Sequence, residues 1–402
     1  MLVLRGGTVV DTDGAREADV LIDGDRIAAV ATDSGSLGDP GSSDEAEIDE
    51  GIDVSSAYVC PGLIDAHVHL MLDGRPDPSS TTAESDFSLA YRAAANCRAA
   101  LSAGVTTVRD LGAPRSLATD AGSLIDEGVV AGPRVLACGE NVVMTGGHGN
   151  WFGRQADGVA EVKKAVREQL ARGADVVKCM ATGGVLTEGA AIGAPELDPD
   201  ELDALVAAAS AKGVPTAAHA HGAAGMKNAV RAGITSVEHG TFMDREAAEL
   251  MADRGTYWVP TASALRGIVD NADAEKGIPD WAVAKAEEAA EAFAEAFTHA
   301  AAAGVPIAMG TDAGTPFNFH GDIPQELELM VDYGCSPAAA LAAATVDAAS
   351  LLGVGDVGKV DEGYRADLVV LPENPLDDVT AWQDPRDVIK AGERIEADER
   401  VH

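Results

Sequence analysis

The chain has 402 residues and an apolar fraction of 46%, enough for one large globular core and a satellite. Asp and Glu number 66 against 29 Lys and Arg, a formal charge of -37 that lacks the positive footprint nucleic acid or an anionic membrane requires of a partner. Only nine of the basic residues are Lys, and an acidic, Lys-poor, Ala-rich composition fits a halophilic cytoplasm in which salt screens self-repulsion.

Residues 2–30 alternate short apolar runs with Gly/Asp turns (LVLRGGTVVD, then ADVLIDGDRIAAV), the pattern of hairpins. The N-terminal stretch has no long apolar segment of the signal-peptide kind, and no later run approaches a membrane span. The stretch from Thr32 to Gly51 is rich in Asp, Glu, Ser and Gly and is expected to be a solvated loop. From Tyr58 onward, strand-like runs alternate with Ala-rich helical stretches. They are YVCPGLIDAHVHL, GVTTVRDLG, PRVLACGENVVM, ADVVKCMATGG, GVPTAAHAHG, GITSVEHGT, TYWVPTA and GVPIAMGTDAG, each followed by a helix. Eight such units are the count of a closed (β/α)8 TIM-like barrel, placed over residues 58–356. The tail, KVDEGYRADLVVL and RDVIKAGERI, returns to hairpins. It is expected to join the N-terminal strands in a small β-sandwich domain made of residues 1–57 and 357–402. The five cysteines are scattered and odd in number, so no disulfide framework is expected and a reducing, cytoplasmic setting is.

A barrel of this kind carries its chemistry at the carboxyl ends of its strands. The first strand ends in His67-Val68-His69, and alternation along a strand puts both imidazoles on one side. The fourth carries Lys178, the fifth His219 and His221, the sixth His239, the eighth Asp312. Five of nine histidines thus fall at strand ends, a set suited to Zn²⁺ or a similar divalent ion. An ammonium among metal ions is electrostatically wrong. Desolvation would lower the Lys178 pKa, and a neutral amine can take up CO₂ as a carbamate, an anion able to bridge two metals. His221 is open to three readings: a residue behind the ligands, a substrate contact, or a helix cap. His148 sits in the Gly-rich TGGHGN loop after the third strand, where a solvent-exposed side chain is the plain reading. Arg109 and Asp110 read as an ion pair in the barrel wall, Cys179 as facing away from the mouth, His299 as a surface residue, and His320 as the start of a helix.

The motifs PGLIDAHVHL, VVKCMATGG, AAHAHG with VEHGT, and MGTDAG together resemble the amidohydrolase superfamily with a binuclear metal site. With TGGHGN they are most similar to its prolidase-like, Xaa-Arg/Lys dipeptidase branch, which is related to imidazolonepropionases. The resemblance covers essentially the whole chain. It implies that His67, His69 and Asp312 hold the more buried of two divalent ions, that His219 and His239 hold the more exposed one, and that carboxylated Lys178 bridges them. It makes Asp312 the proton shuttle for a metal-bridging hydroxide, His148 and His221 candidate substrate contacts, and a dipeptide or N-acyl amino acid the substrate of a homo-oligomeric hydrolase. A deaminase or cyclic-amide hydrolase of the same superfamily is the first rival, and Lys178 counts against it because those enzymes generally manage with one metal. A non-catalytic scaffold on the same fold is the second, and the complete ligand set counts against it.

Overall fold

The computed structural model describes residues 1–32, 50–188, 191–273 and 277–395. The acidic loop expected over Thr32–Gly51 lies outside the described residues except at its ends, and Gly51 itself falls in a short strand, Glu50–Asp53.

The first two barrel strands, Leu63–Val68 and Val105–Asp110, are buried at every residue, because helices cover one face and the barrel interior the other. Arg134–Ala137 pairs parallel with the second of these. A further parallel run pairs Val142–Val143, Val177–Met180, Thr216–Gly222, Ser236–Phe242 and Tyr257–Val259 in that order. The eighth segment was expected as a full strand. It instead closes the ring through single parallel bridges, Trp258 to Ile307 on one side and Ala313 to Val68 on the other. Helices stop where the sequence places Gly before an apolar strand start: Gly233 and Gly304 take φ of 95° and 72° at the ends of Ala223–Ala232 and Asp280–Ala303.

The long helix Asp280–Ala303 shows how packing serves the site. It buries Ala282, Ala286, Ala289, Phe293, Ala296, Phe297 and Ala300, a stripe at helical spacing. Phe297 meets the ring of Trp258 edge-on at 4.6 Å. Trp258 is fully buried, and its indole Nε1 donates to the carbonyl of His239 at 2.8 Å. Truncation of such a side chain costs about 3–5 kcal/mol and here would also loosen the sixth strand's end.

The N- and C-terminal strands form one eight-stranded sheet. The sheet curls on itself: Ile27 N donates to Tyr364 O, and Ala366 N to Asp25 O, around a core that includes Leu4, Val20, Ile22, Leu368 and Val370. Tyr58–Pro61 was assigned to the barrel with the residues after it. It belongs to this sheet instead, antiparallel to Leu368–Leu371 and parallel to Thr8–Val9. The barrel's first strand begins only at Leu63.

Candidate metal centre

His67, His69, His148, Lys178, His219, His221, His239 and Asp312 all line one cavity at the carboxyl ends of the strands. Their imidazoles are held by the ring nitrogen that points away from the centre. His67 Nδ1 donates to Glu238 Oε2 at 2.9 Å, and His69 Nδ1 to the Gly112 carbonyl at 2.9 Å. The Thr261 hydroxyl donates to Pro260 O, so at 2.7 Å it accepts from His239 Nδ1. In its neutral form each of these three rings therefore turns its Nε2 lone pair to the cavity. His67 Nε2 and His69 Nε2 lie 3.3 and 3.1 Å from Asp312 Oδ1. The rings of His219 and His239 are 4.5 Å apart, and those of His148 and His219 4.3 Å.

Two groups present ligand atoms within 4.8 Å of one another: His67, His239 and Asp312, and His219, His221 and His239. His221 thus stands within ligand reach as well as at the cavity wall, with its Nδ1 bonded to Thr241 Oγ1 at 2.7 Å. His148 Nδ1 is bonded to Thr187 Oγ1 at 2.7 Å, beneath the loop after the fourth strand. A Cβ on Gly184 of that loop would fall 2.5 Å from the His148 ring, so the second glycine of the TGG motif admits the imidazole. Gly310 does the same for His67, whose Cβ would lie 2.9 Å away. His299 and His320 do not line the cavity.

Backbone strain gathers here. His239, Thr261 and Asp312 have φ of 68°, 59° and 61°, the left-handed region that non-glycine residues avoid at a cost of about 1–3 kcal/mol each.

The electrostatics suit cations. Burial above all drives the imidazole pKa values down, to about 4 for His67 and His148 and about 3 for His221, and well below the ordinary value for His219 and His239. Burial also lowers the Lys178 ammonium, against the pull of Glu238 and Asp312. Burial would raise the Asp312 carboxyl, but His67 and His69 bring it below the usual carboxylate range. His69 is the exception: burial would lower it, but Asp312 and Asp110 raise it above the ordinary value, so a cation there would displace its proton. Elsewhere neutral imidazoles, an ionised carboxylate and a lysine whose charge is disfavoured are the protonation states that divalent ions require. His219 Nε2 is buried with no partner at all, an orphan that a cation would satisfy. The residues therefore fit a metal site.

Behind the ligands stands a charged pair that the sequence reading missed. Arg109 was expected to pair with Asp110. Adjacent strand residues face opposite ways, so it cannot. Arg109 Nη2 donates to Glu238 Oε1 at 3.2 Å, its Nε to Ala66 O at 2.6 Å, and its Nη1 to Ser236 Oγ at 3.2 Å. Asp110 instead accepts from the backbone N–H groups of Leu70 and Gly112. Burial would raise the Glu238 carboxyl, but Arg109, His67 and Lys178 hold it down at about 2.

A parallel barrel with a composite β domain, and histidines, a lysine and an aspartate at the strand ends, has the architecture of a TIM-barrel hydrolase with a cluster able to bind metal. The Amidohydrolase family model matches residues 58–395, and the chain belongs to that family, hydrolases of carbon–nitrogen bonds. Ochratoxinase from Aspergillus niger is 34% identical over 360 residues, covering 82% of this chain and 73% of the relative. The solved structure of a Xaa-Pro dipeptidase with bound methionine superimposes with a TM-score of 0.89 at 32% identity, over 98% of this chain and 100% of that one. A prolidase complexed with N-methylphosphonate-L-proline gives 0.89 at 31% identity, over 98% and 99%. The chain is prolidase-like within its family. Among the described residues no helix is long and apolar enough to cross a membrane.

Proposed function

We propose that the chain hydrolyses the amide bond of a dipeptide or N-acyl amino acid with two divalent cations, Zn²⁺ or similar. The observation that carries the reading is the meeting of five buried imidazoles, one ionised carboxylate and one charge-averse lysine in a single cavity. The relatives' activities support the substrate class: an ochratoxinase, a Xaa-Pro dipeptidase and a prolidase. His67, His69 and Asp312 would hold one cation, His219 and His239 the other, and carboxylated Lys178 both. When bound, the cations would supply Lewis acidity toward the scissile carbonyl and a lowered pKa for the attacking water.

The chain's own residues do the rest. Glu238, Gly112 and Thr261 fix the Nδ1 tautomers, so the Nε2 atoms of His67, His69 and His239 stay free to ligate. Lys178 sits in a dry strand end that favours its neutral amine, the form that adds CO₂ with loss of a proton. Asp312 is ionised at neutral pH and can accept a proton at a carboxylate oxygen and return it to the leaving amine. His148 and His221, neutral and tied back through Thr187 and Thr241, face the cavity as hydrogen-bonding groups for the substrate.

A second reading follows from the reach of His221 to His219 and His239: three imidazoles hold one cation and Lys178 stays a free amine. Metal content per chain, measured with hydrolysis of a dipeptide library on wild type, Lys178→Ala and His221→Ala, decides between them. Two cations per chain and peptide cleavage, both lost in Lys178→Ala, with both cations retained in His221→Ala, are expected. One cation per chain, lost only with His221, establishes the second reading.

A further inference from the structure

Away from the metal ligands the cavity changes character. Its outer wall is made by four separate loops, and each contributes apolar side chains. Leu72 comes from the loop after the first strand, Trp151 and Phe152 from that after the third, Leu186 from that after the fourth, and Leu265 and Ile268 from the helix Ala262–Val269 after the seventh. Trp151 and Phe152 lie ring to ring at 4.2 Å, and Phe152 meets the edge of His69 at 5.8 Å, so the aromatic surface runs up to the ligands. The cavity opens to solvent at its mouth, so a group beside the scissile amide would lie along this wall.

Charge is missing from that wall. Among the described residues Asp312 is the only carboxylate lining the cavity and Lys178 the only ammonium or guanidinium, and both are ligands of the centre. The charged groups close behind are occupied. Glu196 accepts the backbone N–H of His148, and Lys285 Nζ donates to the carbonyls of Thr187 at 2.7 Å and Gly184 at 3.4 Å. A cationic or anionic side chain entering here would lose its hydration and find no counterion.

We infer that the substrate carries a bulky, uncharged, apolar group, aromatic or branched aliphatic, next to its scissile amide, and that basic and acidic side chains at that position are rejected. This rests on the amide-hydrolase reading above. It departs from a Xaa-Arg/Lys preference, which the family resemblance and the acidic net charge would suggest. The charge of -37 belongs to the chain as a whole, and the wall that meets the substrate has no share in it.

The test uses metal-loaded full-length protein and six dipeptides: Phe-Ala, Ala-Phe, Lys-Ala, Ala-Lys, Glu-Ala and Ala-Glu. In at least one order the Phe dipeptide should exceed its Lys and Glu counterparts in kcat/KM by at least about 100-fold. Leu186 is half-buried at the wall, so Leu186→Glu adds a carboxylate there without opening the core. It should narrow the Phe-over-Lys ratio at least about tenfold, in the same dipeptide order. Lys or Glu dipeptides cleaved as well as Phe in both orders overturn the inference and leave the hydrolase reading standing. Cleavage of none of the six overturns the hydrolase reading instead. The shift in melting temperature with each dipeptide then decides the pocket: a larger shift with Phe than with Lys and Glu supports the apolar wall, and equal or reversed shifts overturn it.

Discussion

Replacing Glu238 with Gln keeps the side chain's shape and removes its charge, which separates its two roles. All four bonds to the carboxylate come from donors: His67 Nδ1, the Ser236 hydroxyl, and Arg109 Nη2 to both oxygens. Glutamine offers one acceptor oxygen and turns an NH₂ toward the remaining donors. Arg109 is 2% exposed and would be left without its counterion. Removal of one partner of a buried pair costs about 3–5 kcal/mol, and the retained amide dipole argues for the lower end, about 3 kcal/mol. The second effect falls on His67, whose Nε2 is aimed through Glu238; loss of such a support weakens metal binding about 10–100-fold. Urea unfolding of the metal-free protein reads the first effect, and chelator competition with Zn²⁺ reads the second. The double variant Arg109→Met/Glu238→Gln should recover most of the stability, because no unpaired charge remains, and none of the metal affinity. Wild-type affinity in Glu238→Gln, or affinity restored in the double variant, would refute the positioning role and leave only a structural ion pair.

Asp312→Asn should lower kcat about 10²–10⁴-fold if Asp312 carries the proton, with KM for a cleaved dipeptide changed far less; parallel losses in both would mean it serves binding alone. Gly184→Ala should displace the His148 ring, because the new methyl would meet it at 2.5 Å. We expect a raised KM with metal content unchanged, and an unaltered KM would show that His148 does not touch substrate. Glu326 accepts from Ala262 N, Ser263 N and Ser263 Oγ at the start of the helix after the seventh strand, yet burial pushes its carboxyl from 4.5 up to about 7. A carboxyl raised in the folded state binds its proton more tightly there than when unfolded. Its contribution to stability is full below about pH 4.5 and lost as pH rises through about 7. Urea midpoints of wild type, taken relative to Glu326→Gln, should therefore fall across that window, and a pH-independent difference would contradict the shift.

That these side chains meet in one cavity was legible because it rests on two local rules, strand alternation and the placement of barrel chemistry at strand ends. His67 and His69 needed nothing more. Glu238 was not legible because it precedes His239, and alternation sends neighbours to opposite faces. The left-handed φ of 68° at His239 breaks that rule and turns both residues to the interior, and no residue type in VEHG announces such a twist. The same rule, applied to Arg109 and Asp110, would have ruled out their pairing. The eighth strand read as regular from GVPIAMG, but Asp312, at φ 61°, and the close approach of Gly310 to His67 interrupt it. Tyr58–Pro61 runs straight into the first barrel strand in sequence. Only its partner, Leu368–Leu371, far along the chain, reveals that it belongs to the other sheet. The apolar outer wall is assembled from four loops and could not be read from any one of them.

The composite sheet also governs the order in which the chain can be completed on a ribosome. The strand Tyr58–Pro61 leaves the exit tunnel early, and its antiparallel neighbour follows only after about 300 more residues have been made, a closure whose entropic cost grows slowly with length but whose wait does not. During that interval one flank of Tyr58–Pro61 is an unsatisfied β-edge of apolar residues, the kind that captures other nascent chains. The barrel must assemble between the two halves of a domain that is still open, and Arg134, which reaches from the third barrel strand to Asp367, finds its carboxylate only at the end. Expression that outruns chaperone supply should therefore yield aggregates nucleated at the N-terminal sheet.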